Sequence, residues 1–232
     1  VLYEYQKTRN ASHPREFLKD FNGVCVTDGY QVYHTIEGEQ EDLRIAGCWF
    51  ARRRFDEAVK ALPKQKQKES RAYLALTMIQ AIYQEEKQLK DLPAGERKDR
   101  RQLSVKPMVE AYFTWVRENL PKVPSKSKTR EGFHYSLNQE KYLKVFLDDG
   151  EVPMDNNAAE QSIRGFCIGK KNWVMIDTIA GAKASAIIYS IAETAKTNNL
   201  KPYDYFEYLL TEIPKHLDDT DRSFLDDLLP WS

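Results

Sequence analysis

Val24-Cys25-Val26-Thr27-Asp28-Gly29-Tyr30 is the stretch on which the reading of this chain turns. An apolar run containing two β-branched residues predicts a short buried strand, and Asp28-Gly29 ends it. A carboxylate at the end of a buried strand, followed at once by glycine, is well placed to face a cleft. Downstream, Arg44–Cys48 predicts another short strand, and Phe50–Leu62, stopped by Pro63, predicts an amphipathic helix. Upstream, Val1–Gln6 alternates aromatic and polar residues as a strand does. Ser12-His13-Pro14 predicts a helix capped by Ser12 and running to Asp20, before Asn22-Gly23 breaks the chain.

Beyond Pro63 the periodicity is helical. Glu69–Lys90 carries Tyr73, Leu76, Ile79, Ile82 and Tyr83 at helical spacing, and Glu96–Asn119 repeats the pattern with Leu103, Val109, Tyr112, Phe113 and Val116. Pro121–Ser125 predicts a linker and Asn138–Leu147 a third helix. Next comes Met154-Asp155-Asn156-Asn157-Ala158-Ala159-Glu160-Gln161-Ser162-Ile163-Arg164, where an Asp or Asn caps a helix bearing Glu160 and Arg164 on one face. Trp173–Ile176 is strand-like, Ala180–Thr197 a small-residue helix, and Tyr203–Ile213 a last aromatic-rich helix. The class expected is α/β, mixed and helix-rich.

Composition narrows the function. At 232 residues, 41% hydrophobic and 12% aromatic, the chain can bury a sizeable core, which excludes wholesale disorder. No apolar run approaches a membrane span. Three cysteines with no C-x-x-C pair, and four scattered histidines, argue against a disulfide scaffold or a cysteine or histidine metal site. No glycine-rich phosphate loop is present. The chain opens Val1-Leu2-Tyr3 without Met or an apolar leader, so it reads as a piece of a longer cytosolic protein. Formal net charge is zero, yet Lys64–Arg130 is basic and the tail after Asn199 acidic. Such a basic block faces a polyanion or forms a solvated helical surface.

Two acidic residues stand out by context, Asp28 at a strand end and Glu160 at a helix start. Carboxylates brought together by a fold are the usual ligands of Mg²⁺, and two such ions suit phosphodiester cleavage. Arg164, Lys170, Lys171 and Trp173 follow Glu160, a mixture of cations and an aromatic that suits a phosphate backbone. The same residues also fit a plainer reading, in which Asp28 caps a turn and Glu160 pairs with Arg164.

Five pieces occur in one order: Thr27-Asp28-Gly29-Tyr30; Gly47-Cys48-Trp49 with Arg52-Arg53-Arg54-Phe55; Asp155 to Arg164; Lys170-Lys171-Asn172-Trp173; and Ser190 to Lys196. Together they resemble the DDE transposase domain of the IS66 insertion-sequence family, from residue 1 to the terminal Leu228-Leu229-Pro230-Trp231. The resemblance implies an incomplete ribonuclease-H-like core, with residues 1–63 as its first part. Residues 64–150 would be a helical, basic insertion, and residues 151–232 the second part, with the catalytic-glutamate helix and the acidic tail. It implies Asp28 and Glu160 as catalytic metal ligands for two Mg²⁺ or Mn²⁺ ions. No residue matches the family's first aspartate, so the chain is expected to be truncated before it and inactive alone. Relatives often carry a His before the arginine cluster; here Phe50-Ala51 leads directly into Arg52.

The resemblance further implies DNA at insertion-sequence ends and target sites as partner, a homo-oligomer on DNA, no membrane, and a bacterial, nucleoid-associated location. DNA contacts are expected from Arg52, Arg53, Arg54, Asn156, Asn157, Arg164, Lys170, Lys171 and Trp173. In the full protein, water would nick DNA at the element end and the freed 3′-hydroxyl would attack target DNA. The alternative is a non-catalytic helical DNA-binding or assembly module whose basic block carries the function. A glycoside hydrolase built on two acids leaves the Lys170-Lys171 and Arg52–Arg54 clusters without a use.

Overall fold

A computed structural model describes residues 1–49, 51–173 and 176–231, with side chains at all of these except 51 and 170–173. The chain divides into two compact units, one of Asn10–Asn156, the other of Val1–Arg9 with the chain from Asn157 onward.

The first unit is built on a strand–helix–strand motif. After α1 (Ser12–Phe17) come β1 (Gly23–Thr27), α2 (Gln31–Glu37) and β2 (Leu43–Gly47). β1 and β2 pair in parallel from Gly23 opposite Leu43 to Thr27 opposite Gly47, and among the described residues they make the whole sheet. Parallel strands need cover on both faces. The alternation supplies it: Val24, Val26 and Ala46 face the large core, while Cys25, Leu43 and Ile45 join Leu18 and Ile36 in a small one.

The large core is helical. It gathers α3 (Ala51–Lys60), α5 (Arg71–Gln88), α7 (Lys106–Asn119) and α8 (Lys128–Asn138), with the short helices α4 (Lys64–Gln67), α6 (Ala94–Arg100) and α9 (Glu140–Leu143) at its rim. Trp49, just past β2, is its hub. Its ring lies 5.5 Å from that of Tyr112 and 5.9 Å from Phe113, and its indole N–H donates to the Leu143 carbonyl at 3.0 Å. A buried indole with its one donor satisfied contributes area without a desolvation penalty.

Between α6 and α7 the helix passes through a π turn, Arg101–Val105. The expected single helix over 96–119 is thus interrupted. The wider turn brings Arg101 and Val105 inward and leaves Leu103, an expected core residue, 73% exposed. Arg101 is 1% exposed. Its Nε donates to the Glu86 carboxylate at 3.0 Å, and its Nη1 to the carbonyls of Phe146, Asp149 and Val152 at 2.7, 2.6 and 3.0 Å. One turn earlier, Arg97 donates to the carbonyls of Leu89, Lys90, Leu92 and Gly150. Gly150 passes so close to α6 that a Cβ there would sit 1.9 Å from the Ala94 carbonyl oxygen. Residues 146–152 are therefore held by arginine side chains, not by regular structure of their own.

Other expectations shift. Ser12 does not cap α1: Asn10 Oδ1 accepts the Ser12 N–H at 2.9 Å, and Ala11 stands at the cap position. The helix expected at 138–147 is α9 followed by a 3-10 turn at Val145–Leu147, with α8 already ending at Asn138.

In the second unit, α10 (Asn157–Trp173), α11 (Ile179–Thr197) and α12 (Pro202–Glu212) follow one another. Thr178 caps α11, its Oγ1 accepting the Gly181 N–H at 3.0 Å. Val1–Gln6 is not a strand, although Tyr3 and Tyr5 do alternate in burial with Leu2, Glu4 and Gln6. Helix hydroxyls take the place of a strand partner: Tyr3 N–H donates to Ser190 Oγ at 2.8 Å, and Thr194 Oγ1 to the Val1 carbonyl at 2.9 Å. Trp173 ends α10 instead of opening a strand; Val174 and Met175 lie outside the described residues, and Ile176-Asp177 carry no regular structure.

Replacing Arg101 by Met should destabilise the chain by about 3–5 kcal/mol, because Glu86 loses its buried counter-charge and three carbonyls lose their donor. Urea denaturation monitored by tryptophan fluorescence measures this. Arg101→Lys should recover little, since an ammonium cannot reproduce the fork.

Candidate active site

The parallel register brings the carboxyl ends of both strands to one edge, where ligands of open α/β sheets bind. Cys48 N–H donates to the Thr27 carbonyl at 3.1 Å, so Asp28 and Cys48 leave the sheet side by side. Asp28 is exposed, and its Oδ1 accepts the Tyr30 N–H at 3.1 Å, closing an Asx turn ahead of α2. Gly29 has φ +79°, a left-handed conformation that suits glycine.

Two tyrosines flank this edge. Tyr135, from α8, donates its hydroxyl to the Cys48 carbonyl at 3.1 Å. Burial, the Cys48 thiol and the Asp28 carboxylate push its ionisation well above the ordinary phenol value, with Arg54 opposing. Tyr83, from α5, is pushed up by burial, by the Asp155 carboxylate that it hydrogen-bonds, and by the Cys48 thiol, with Arg52 opposing. Each tyrosine also carries a guanidinium over its ring: Arg54 lies 5.7 Å from the Tyr135 centroid and Arg52 5.9 Å from that of Tyr83. The edge thus repeats one arrangement twice, an arginine, a neutral phenol and an aspartate, on either side of Cys48.

The three arginines of α3 are not equivalent. Arg52 is exposed, Arg53 pairs with Glu57 one turn on at 3.3 Å, and Arg54 is half-buried and reaches Glu131 at 3.4 Å. Among the described residues, Arg54 Nε, Gln139 Oε1 and Asn156 Oδ1 are buried without a hydrogen-bond partner. Sequence reasoning missed Tyr83, Tyr135 and Gln139 as site residues and used Asp155 only as a cap. The Asp155-Asn156-Asn157 wording was the available signal for the last; nothing local marks the other three.

In the second unit, Glu160 lies in the first turn of α10 and is exposed, with Arg164 one turn further on, also exposed. Among the described residues neither enters an ion pair, so the plain Glu160–Arg164 pairing does not occur. Asn157 begins α10, while Lys170, Lys171 and Trp173 fall in its last turn, their side chains outside the described residues. No group of three or more His, Cys, Asp or Glu side chains able to hold a metal occurs among the described residues. No described helix is long and apolar enough to cross a membrane.

A helix-rich chain whose parallel strand pair ends in an exposed aspartate flanked by arginines is of the kind that handles phosphate esters. Residues 1–184 match the family described as Transposase IS66 family, and residues 190–231 the IS66 C-terminal element. The chain belongs to the IS66 transposase family. Two uncharacterized proteins of Sinorhizobium fredii (strain NBRC 101917 / NGR234) are similar to it along its whole length. They are y4qI, 28% identical over 240 residues, and y4jD, 28% identical over 238. The chain covers 43% and 45% of their respective lengths, so it spans less than half of each. No solved structure matches it.

The tyrosines make stability fall at high pH. Tyr83, Tyr112 and Tyr135 all have raised folded-state values against an ordinary 10.0. Above pH 10 the unfolded chain loses phenolic protons that the folded chain keeps, so stability declines as pH rises from there. Urea midpoints measured across that range should fall, and Tyr135→Phe should fall less steeply than the wild type.

Proposed function

We propose that the chain is the greater part of the catalytic core of a transposase that cleaves and joins DNA strands at insertion-sequence ends by phosphoryl transfer. The observation that carries this is Asp28, an exposed carboxylate at the carboxyl end of a parallel strand with Arg54 and Arg52 beside it, in a chain of a transposase family. The strand–helix–strand unit is consistent with part of a ribonuclease-H-like core. In the whole protein Asp28 and Glu160 would hold divalent ions, Mg²⁺ or Mn²⁺.

The donors fit such ions. Asp28 has its Oδ1 tied to a backbone N–H, which fixes the carboxylate, and a hard oxygen donor suits Mg²⁺. When bound, the ions supply a nucleophilic water at neutral pH and charge stabilisation at the leaving oxygen. The work left to the side chains is positioning. Arg52 and Arg54 are fixed over aromatic rings, so their outward donors can meet phosphate oxygens at little entropic cost. Neutral Tyr83 and Tyr135 surround the edge without adding negative charge that would repel a phosphodiester. Asn156, Asn157, Arg164, Lys170, Lys171 and Trp173 would track the backbone near Glu160.

A binding module driven by the basic block is less well supported. Arg97, Arg101 and Arg130 spend their donors on backbone carbonyls, and Arg117 and Lys144 pair with Glu140. Much of that basic excess is structural.

In the full-length protein, Asp28→Asn and Glu160→Gln should each abolish strand cleavage while leaving DNA binding within a few-fold of wild type, and residues 1–232 alone should not nick DNA. Gel assays of cleavage and binding on an element end test this; cleavage by either variant would remove the assignment.

The lysines give an independent test. Phosphate contacts carry no base information, so Lys170→Ala with Lys171→Ala should weaken binding to all duplexes alike. The log–log salt slope should fall by about 0.9 per lost contact. An unchanged slope in a salt series would mean that these lysines do not touch the backbone.

A further inference from the structure

Gln139 stands between α8 and α9, and its main chain is fully engaged: its N–H donates to the Tyr135 carbonyl at 3.0 Å and its C=O accepts from Leu143 N–H at 2.8 Å. Its side chain is different. The residue is 8% exposed, yet Oε1 is buried with no donor facing it. A buried acceptor left unpaired costs about 1–3 kcal/mol, so a fold retains one where something outside the chain satisfies it.

That oxygen faces the turn carrying Asp28. A Cβ built on Gly29 would lie 3.1 Å from the Tyr135 hydroxyl oxygen and 3.5 Å from Gln139 Oε1. Glycine at φ +79° therefore lets the Asp28 turn press against both oxygens. The donors at this spot are already committed. Tyr135 gives its hydrogen to the Cys48 carbonyl, and the Tyr30 N–H is taken by Asp28 Oδ1. What remains is rich in acceptors and short of donors, a place suited to a hydrated cation.

We propose that Gln139 is a positioning residue for the divalent ion at Asp28, its amide oxygen accepting a hydrogen bond from one of the waters the ion carries. The inference rests on the assignment of Asp28 as a metal ligand. Mg²⁺ and Mn²⁺ at carboxylate sites keep several waters, and groups that orient those waters add to affinity without touching the metal. Arg54 is the competing partner, since its Nε is likewise buried and unpaired and its guanidinium lies over the Tyr135 ring. If Arg54 satisfies Gln139, the amide is structural and indifferent to metal.

Mn²⁺ titrations of the 232-residue chain, read by electron paramagnetic resonance and paired with metal-free thermal melts, separate these cases. Gln139→Met keeps the side chain's length and removes the oxygen. It should weaken Mn²⁺ binding about 10- to 100-fold while the metal-free melting temperature stays level or rises. Asp28→Asn should abolish the binding. Unchanged Mn²⁺ affinity in Gln139→Met, with binding lost in Asp28→Asn, overturns the role of Gln139 and leaves Asp28 as ligand. A wild type that binds Mn²⁺ no better than Asp28→Asn overturns both. Should Gln139→Met fail to fold, Gln139→Glu, which retains the oxygen and adds charge, decides: tighter Mn²⁺ binding supports the proposal, and equal or weaker binding overturns it.

Discussion

A single buried guanidinium organises the larger unit. Arg101 is placed inward by a π turn, and from there it reaches a carboxylate on α5 and three carbonyls between Phe146 and Val152. Those carbonyls belong to a stretch with almost no hydrogen-bonded structure of its own, so without Arg101 they would be buried and unpaired. Desolvating a guanidinium is costly, but here every side of the fork finds an oxygen, the condition under which a buried charge is tolerated. The stretch so fixed leads to Met154, in the core, and to Asp155, which Tyr83 holds at the sheet edge. An arginine far from the edge in sequence thereby sets the chain that completes it.

Elements with a strong period were legible from the residues. β1, β2, α3, α5, α11 and α12 fall within a few residues of where apolar spacing and Asn, Gly or Pro punctuation put them. The failures share a cause, which is that a distant partner decided the local conformation. Val1–Gln6 has a strand's alternation, but side-chain hydroxyls of Ser190 and Thr194 bond its backbone. Leu103 has a core residue's spacing, but the π turn inserts extra arc and rotates it to solvent.

The candidate site was half legible for the same reason. Asp28 announces itself, because strand, carboxylate and glycine are adjacent in sequence. Tyr83 reads as an ordinary core position, since spacing reports the ring and is silent about where the hydroxyl points. Gln139 sits in a stretch whose helical pattern hides a break, and its interest lies in a partner that is missing. Charge was similarly ambiguous: the Lys64–Arg130 block resembles a polyanion surface, yet Arg97, Arg101 and Arg130 are used inside the fold, capping carbonyls that regular structure leaves open.

The π turn also constrains how this chain can change in length. An α-helix advances about 100° per residue, so one residue more or fewer swings everything beyond it around the axis. The turn at 101–105 accommodates that extra arc in one place. Deleting a residue there would restore ordinary helical bonding and, in the same stroke, rotate α7 by about 100°, carrying Val109, Tyr112, Phe113 and Val116 off the core around Trp49. Exposed Leu103 can be exchanged for many side chains, but its place in the count cannot be surrendered. Within this segment the number of residues is held more tightly than their identity.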